Sequence, residues 1–250
     1  MNRRISRRAF LTAAGTAAAS LTVPDWVRGH PEPGRLNIAL ILLDDLGWAD
    51  LGCYGSTFHE TPNIDRLAEQ GVRFTDAYSA SPVCAPTRAA IMTGKNPTRL
   101  GLDKMLPPDR NHLPLEEVTI AETLKEAGYA TCFIGKWHLG GKDYYPDRQG
   151  FDVNLGGTEW PQPSSGYFSP YHIDTLPEGP EGEYLTDRLS GEAVTFIEAH
   201  RDVPFFLMLS YYAVHAPLKP RTTWSTSTRK SSKRCPNGRK SRSSTAFPPA

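Results

Sequence analysis

Leu36-Asn37-Ile38-Ala39-Leu40-Ile41-Leu42-Leu43-Asp44-Asp45 is the stretch on which the fold turns. Its first eight residues are almost continuously apolar, the pattern of a parallel strand covered on both faces. The run stops abruptly at two carboxylates. Reading outward, residues 129–134 and 203–211 repeat the same apolar, β-branched and aromatic character and predict two more buried strands. Residues 72–78 are a further strand candidate. Helical signals lie between them. Thr61-Pro62 opens one helix with a capping hydroxyl and Pro in the first turn; Ile64, Leu67 and Ala68 form its apolar face and Gly71 stops it. A second helix runs from near Cys84 through Arg88 to Met92 and closes at Gly94. Thr119-Ile120-Ala121-Glu122 is a capping box opening a third, which Gly128 ends, and residues 184–200 carry a fourth helical period. Strands alternating with helices predict an α/β fold with a mostly parallel sheet. Ligands of such sheets gather at the carboxyl ends of the strands. Residues 140–182, rich in Gly, Pro and aromatics, are expected to make an excursion over the sheet edge.

Composition narrows the class without naming it. Hydrophobic residues make up 39% and charged residues 22% of 250, with 21 Gly and 22 Pro, which excludes collagen-like, coiled-coil and wholly disordered chains. The formal net charge of +1 conceals three unlike segments. Residues 1–30 hold five Arg and one Asp, residues 31–220 hold 15 basic and 26 acidic side chains, and residues 221–250 hold eight basic residues and no acid.

Each end of the chain has its own explanation. Arg3, Arg4, Arg7 and Arg8 precede a weakly apolar run from Ala9 to Val23 that is too short to cross a bilayer, so no stable membrane span is expected. Ser6-Arg7-Arg8-Ala9-Phe10-Leu11 resembles the bacterial twin-arginine export signal, and Ala17-Ala18-Ala19 fits a small-residue cleavage site. Residues 1–30 are thus expected to be a signal peptide and linker read by the twin-arginine translocase, with the product exported to the periplasm or beyond. Residues 221–250 hold twelve Ser or Thr and only Trp224 and Phe247 as large apolar groups, so they cannot build a core. Two readings compete: a tail for nucleic acid or another anionic surface, or a reading frame that is wrong beyond about Pro220. The abrupt loss of pattern favours the second, and no nucleic-acid partner is expected. Residues 31–220 are then the folded part of the chain.

Candidate chemistry begins at Asp44 and Asp45, adjacent carboxylates that leave a strand together and could face one hard cation, or simply form a solvated turn. Cys84 stands in Ser81-Pro82-Val83-Cys84-Ala85-Pro86-Thr87-Arg88. At a helix N-terminus the macrodipole favours a thiolate or a bound oxyanion there. Arg88 follows one turn later on the same side, and its forked donors suit phosphate or sulfate oxygens. The four cysteines, Cys53, Cys84, Cys132 and Cys235, match neither a dense disulfide framework nor a zinc pair.

Four segments together resemble the sulfatase family: Cys84-x-Pro86-x-Arg88 followed by Thr93-Gly94, Gly135-Lys136-Trp137-His138-Leu139-Gly140, the Asp44-Asp45 pair after the first strand, and His215-Ala216-Pro217. They occur in family order over roughly residues 36–218. The resemblance implies an alkaline phosphatase-like α/β fold, a mostly parallel sheet flanked by helices. It implies a sulfuric ester hydrolase in which a formylglycine-generating maturation enzyme converts Cys84 to 3-oxoalanine (formylglycine). Hydrated, that group attacks sulfur and later releases sulfate, splitting one difficult step into two. The resemblance further makes Asp44, Asp45 and the converted Cys84 calcium ligands, and gives Arg88 the task of holding the hydrate. By the same resemblance Lys136 would bind sulfate oxygens, His138 would be the base that drives sulfate release, and His215 would bind sulfate or protonate the leaving alcohol. A sulfated small molecule or glycan is the implied substrate.

The departures matter equally. Sulfatases draw an Asp, an adjacent Asn or His, and a further Lys from a later strand, and this chain has no Asp or Glu after Asp202. The expectations are a sheet incomplete on its C-terminal side, a calcium site with about half its ligands, and an exposed sheet edge with apolar faces. The competing readings are an inactive truncated remnant and a related metal-dependent phosphatase or phosphodiesterase, the latter disfavoured by Cys-x-Pro-x-Arg. Trp160, Tyr167 and Tyr171 either stack on a sugar or pack the core.

Overall fold

A computed structural model describes residues 35–102, 112–163, 165–219 and 221. The chain divides into two units, Met1–Leu36 and Asn37–Ala250, and the description below concerns the second. The signal-peptide reading of residues 1–30, Cys235 and all of the basic tail but Arg221 lie outside the described residues.

Four strands form one sheet: β1 (Ile38–Leu42), β2 (Ala130–Gly135), β3 (Val153–Leu155) and β4 (Phe205–Ser210), in the order β1-β4-β2-β3. Every neighbouring pair is parallel; Leu40 stands opposite Met208, and Cys132 opposite Leu207. Four α-helices accompany them: α1 (Pro62–Gln70), α2 (Cys84–Thr93), α3 (Ile120–Glu126) and α4 (Leu185–Ala199). No described helix is long and apolar enough to cross a membrane.

The two-residue period of a strand explains the layers. In β2 and β4, Cys132, Ile134, Leu207 and Leu209 project to one face, where Leu185, Leu189, Ala193 and Phe196 of α4 meet them. Phe133, Phe206 and Met208 project to the other, against Ala85, Ala89 and Met92 of α2 and Ala121 of α3. Spacings of three and four residues along α2 and α4 give each helix one apolar stripe. β2 is buried over its last five residues and β4 over its whole length, as the unbroken apolar runs predicted. Thr119 and Glu122 form the expected capping box: the Thr119 hydroxyl accepts from the Glu122 N–H at 3.1 Å and the Glu122 carboxylate accepts from the Thr119 N–H at 2.8 Å.

The flank around β1 departs from expectation. β1 pairs with β4 alone, and none of its five residues is fully buried; Ile41 is 55% exposed. An apolar run reports the character of a strand but not the number of layers packed on it. α1 buries no residue and leans on the turn Gly52–Tyr54 through polar bonds. There the Thr61 hydroxyl does not cap the helix: it accepts from the Gly52 N–H at 2.8 Å and donates to Asp65 at 2.9 Å. Residues 72–78 form no strand; Val72, Phe74 and Tyr78 are exposed, and this irregular segment is tied down by the Tyr54 hydroxyl donating to the Phe74 carbonyl at 2.7 Å. With no strand beside it to complete a ladder, β propensity alone does not make a strand.

Residues 140–182 run past β2 and donate the short strand β3 to the sheet edge. Tyr167 and Tyr171 are core residues, 3% and 0% exposed, so sugar stacking does not apply to them; Trp160 is 51% exposed. Cys53, Cys84 and Cys132 are free thiols, and burial pushes the Cys132 thiol up to about 12, which leaves it inert.

Candidate active site

The β1–β4 pairing continues past the strand ends and carries the site with it. The Tyr211 N–H donates to Leu42 O at 2.9 Å, the Asp44 N–H to Ala213 O at 3.0 Å, and the Val214 N–H to Asp44 O at 2.7 Å. Asp44 is thereby held next to the end of β4. On the other side of β4, the Lys136 N–H donates to Ser210 O at 2.8 Å just after β2 ends. Gly135 makes that approach possible: its φ is +100°, and a Cβ there would stand 2.0 Å from Ser210 O. Only glycine meets both demands.

Three charged groups converge in this seam. Lys136 is 0% exposed, Arg88 2% and Asp44 6%. Lys136 Nζ donates to Asp44 Oδ2, and Arg88 Nη2 lies 3.4 Å from Asp44 Oδ1. Arg88 Nη1 donates to Lys136 O at 2.5 Å and to Ser210 Oγ at 2.6 Å, while the Ser210 hydroxyl donates onward to Lys136 O at 2.9 Å. Burial lowers the pKa of both Arg88 and Lys136, with Arg88 lowering Lys136 further and Asp44 opposing both shifts. Two buried cations share one buried carboxylate. Among the described residues the seam itself thus holds two basic side chains to one acid, with Asp45 at the cleft edge, and uncompensated buried charge is costly unless a partner arrives.

Cys84 opens α2 beside this seam, one turn before Arg88. Its Sγ is 3.3 Å from Nδ1 of His138, whose N–H donates to Thr158 O at 2.9 Å and whose backbone is left-handed at φ +58°. Desolvation, then Lys136 and Arg88, push the His138 pKa down to about 4, so its ring is neutral near pH 7. Asp44, Asp45, Cys84, Thr87 and Arg88 line a cleft of about 310 Å³. His215 stands at the Asp45 side, its Nε2 3.8 Å from Asp45 Oδ2 and its Nδ1 2.6 Å from Ala216 O. The expected site residues are thus neighbours, brought together from three strand ends and one helix start.

This geometry matches a family-level finding. A model of the sulfatase family fits residues 36–246, which takes in the whole seam and cleft. The chain belongs to the sulfatase family. Among individual sulfatases, N-acetylgalactosamine-6-sulfatase of Canis lupus familiaris is 37% identical over 241 residues, covering 83% of this chain and 43% of that protein. Arylsulfatase A of Homo sapiens is 51% identical over 125 residues, 48% of this chain and 25% of that one. The crystal structure of Ps i-CgsB in complex with k-i-k-neocarrahexaose superposes with a TM-score of 0.67 at 35% identity, covering 78% of this chain and 49% of the other. The chain spans less than half the length of each of these proteins. The mostly parallel sheet flanked by helices is the alkaline phosphatase-like fold that the motifs implied.

For a sulfatase, the metal side of this cleft is sparse. Asp44 commits one oxygen to Lys136 and turns the other to Arg88. Asp45, whose backbone turns at φ +61°, leaves its carboxylate 62% exposed. Among the described residues no group of three or more His, Cys, Asp or Glu could hold a metal ion. Two carboxylates fall well short of the six to eight oxygens calcium takes, so the described residues do not fit that ion. Sequence reasoning also missed Ser210, which fixes Arg88 and Lys136 together. The Phe205–Ser210 strand closes on that hydroxyl, but nothing local in the sequence assigns it a partner. Thr158 and Tyr212, which buttress His138 and Gly156, carried no signal either.

Proposed function

We propose that this chain serves the hydrolysis of a sulfate ester, with the ester on a carbohydrate and Cys84 as the position of the nucleophile. One observation carries the reading: a buried seam with two basic side chains to one acid, opening beside Cys84 and a neutral histidine. A sulfate group supplies a further negative charge to that seam. Relatives named as sulfatases of N-acetylgalactosamine and a structure with D-glucosamine-2-N,6-O-disulfate support a sulfated glycan as the substrate class.

Formylglycine at position 84 would supply a hydrated aldehyde, a nucleophile with a second hydroxyl through which sulfate can leave. The surroundings suit it. His138 Nδ1, at hydrogen-bond distance and unprotonated near pH 7, can take a proton from a hydroxyl at that position and return it later. Arg88, fixed by Asp44, Ser210 and the Lys136 carbonyl, presents its guanidinium with no rotamer left to search. Lys136 adds a point charge for sulfate oxygens, and His215 at the cleft edge can hand a proton to the departing alcohol. A maturation enzyme acting on Cys84 and export through the twin-arginine translocase complete the proposal.

Co-expression with a formylglycine-generating enzyme tests it. The Cys84 peptide is expected to lose the mass that separates a thiol from an aldehyde, and millimolar inorganic sulfate is expected to raise the melting temperature, because a ligand of the native state stabilises it by mass action. Lys136→Met should remove the sulfate shift. An unmodified Cys84 together with sulfate-independent melting would overturn the reading.

A further inference from the structure

The seam accounts for a sulfate group but not for whatever carries it. A second cavity, of about 50 Å³, is lined by Tyr145, Glu159, Trp160, Gln162, His172 and Asp174, with Thr158 and Tyr212 in its wall. Those two wall residues connect it to the catalytic seam. Thr158 holds the His138 backbone through its carbonyl at 2.9 Å. Tyr212 follows Ser210 by two residues, donates to Gly156 O at 3.1 Å and is 1% exposed.

The lining is chemically one-sided. Glu159 and Asp174 are acceptor-only carboxylates, and no Arg or Lys lines the cavity among the described residues. Glu159 is already oriented, since the Tyr145 hydroxyl donates to its Oε2 at 2.6 Å. Asp174 is ion-paired with Lys142 at 3.1 Å. Trp160 stands half exposed at the rim, the one large exposed aromatic ring of this lining. An exposed indole beside convergent hydrogen-bonding carboxylates is an arrangement that receives a sugar: the ring lies on the aromatic face and its hydroxyls donate to the carboxylates. The volume is several times the roughly 10–15 Å³ that one water requires, so it admits a hydroxymethyl or a pair of hydroxyls from the edge of a ring, not a whole ring.

Resting on the proposed sulfate-ester reading, we infer that the cavity lined by Trp160, Glu159 and Asp174 is a sugar subsite that takes hydroxyl-donating, uncharged ring edges and disfavours a second sulfate. A sulfate or uronate placed there would meet two carboxylates and no Arg or Lys in the described lining, Lys142 being already paired with Asp174, and like charges repel. The sulfatase thus favours a sulfated sugar whose neighbouring substituents are free hydroxyls over a densely sulfated chain.

The test uses the full chain and ligand-observed NMR. Methyl β-D-galactopyranoside, which has no sulfate, is the probe of the subsite alone. It is expected to give saturation-transfer signals with the wild type that Trp160→Ala abolishes. In competition with methyl β-D-galactopyranoside 6-sulfate, a disulfated galactoside should bind at least tenfold more weakly. The pair Glu159→Gln and Asp174→Asn should narrow that gap to less than threefold. Far-UV circular dichroism matching the wild type qualifies each variant, and Trp160→Phe, which keeps an aromatic face, should restore most of the signal. Equal galactoside signals in the wild type and Trp160→Ala, or a discrimination that survives loss of both carboxylates, would overturn the inference. Loss of sulfate binding with the galactoside signal intact would overturn the sulfate-ester reading and leave the subsite standing, so the two failures are distinguishable.

Discussion

The strands β2 and β1 are both short, apolar and parallel, and each ends at residues of the cleft, yet they live in different surroundings. β2 lies between β4 and β3 with helices on both faces, and its last five residues are fully buried. β1 has one neighbour among the described residues, and α1, the next α-helix in the chain, contributes no buried residue. The difference teaches that apolar sequence licenses burial but neighbours confer it. It also divides the cleft. Arg88, Lys136 and His138 stand on the covered side, whereas Asp44 and Asp45 are delivered by the exposed strand and Asp44 is the only one of the pair that reaches inside.

The strongest way to break this picture is at the join between the two sides. Asp44→Asn keeps the shape of the side chain and removes the one counter-charge that ion-pairs with Arg88 and Lys136 among the described residues. Leaving buried charges unpaired costs about 3–5 kcal/mol. Chemical denaturation should show a loss of that size, partly recovered by inorganic sulfate as a replacement anion. A loss under about 1 kcal/mol would mean that the two cations are solvated and the seam is not electrostatically closed.

A second prediction concerns the covered side alone. Leu189 of α4 is 1% exposed and packs on the face presented by Ile134 and Leu209. Leu189→Ala removes that contact and opens a cavity, at a cost of about 2–5 kcal/mol. Urea unfolding followed by circular dichroism measures it. A third is local to α3: Thr119→Ala removes the capping hydroxyl, which also donates to Gln149 O at 2.8 Å, for a loss of about 1 kcal/mol.

These magnitudes follow the line between what was legible in the sequence and what was not. β2, β4, α2, α3 and α4 announced themselves because their residues satisfy local rules: unbroken apolar runs, apolar residues three and four apart, a capping box, a glycine after the last turn. The neighbourhood of Cys84, Arg88, Lys136 and His138 was legible because two motifs sit directly at a helix start and a strand end. Ser210 was not, because its role comes from register: only the pairing of β4 with β2 sets its hydroxyl between Arg88 and the Lys136 carbonyl. Tyr167 and Tyr171 looked no different from Trp160 in a loop rich in aromatics. Their burial depends on how residues 167–176 fold back onto α4, and no local rule encodes that. For the same reason residues 72–78 have the composition of a strand and the structure of an irregular segment.

The smallest expected effect falls on the exposed side and tests the comparison most sharply. Leu67 lies on the face of α1 that its spacing with Ile64 and Ala68 marks as apolar, yet it is 65% exposed. If neighbours rather than sequence confer burial, Leu67→Ala changes stability by no more than about 0.5 kcal/mol, the range of surface substitutions, although the same exchange at Leu189 costs several times more. The residue type and the helical setting are matched, so only the packing differs. Parallel urea titrations of the two variants give the ratio directly. Equal losses would show that α1 is covered in solution as α4 is, and would remove the distinction between the two sides of the sheet.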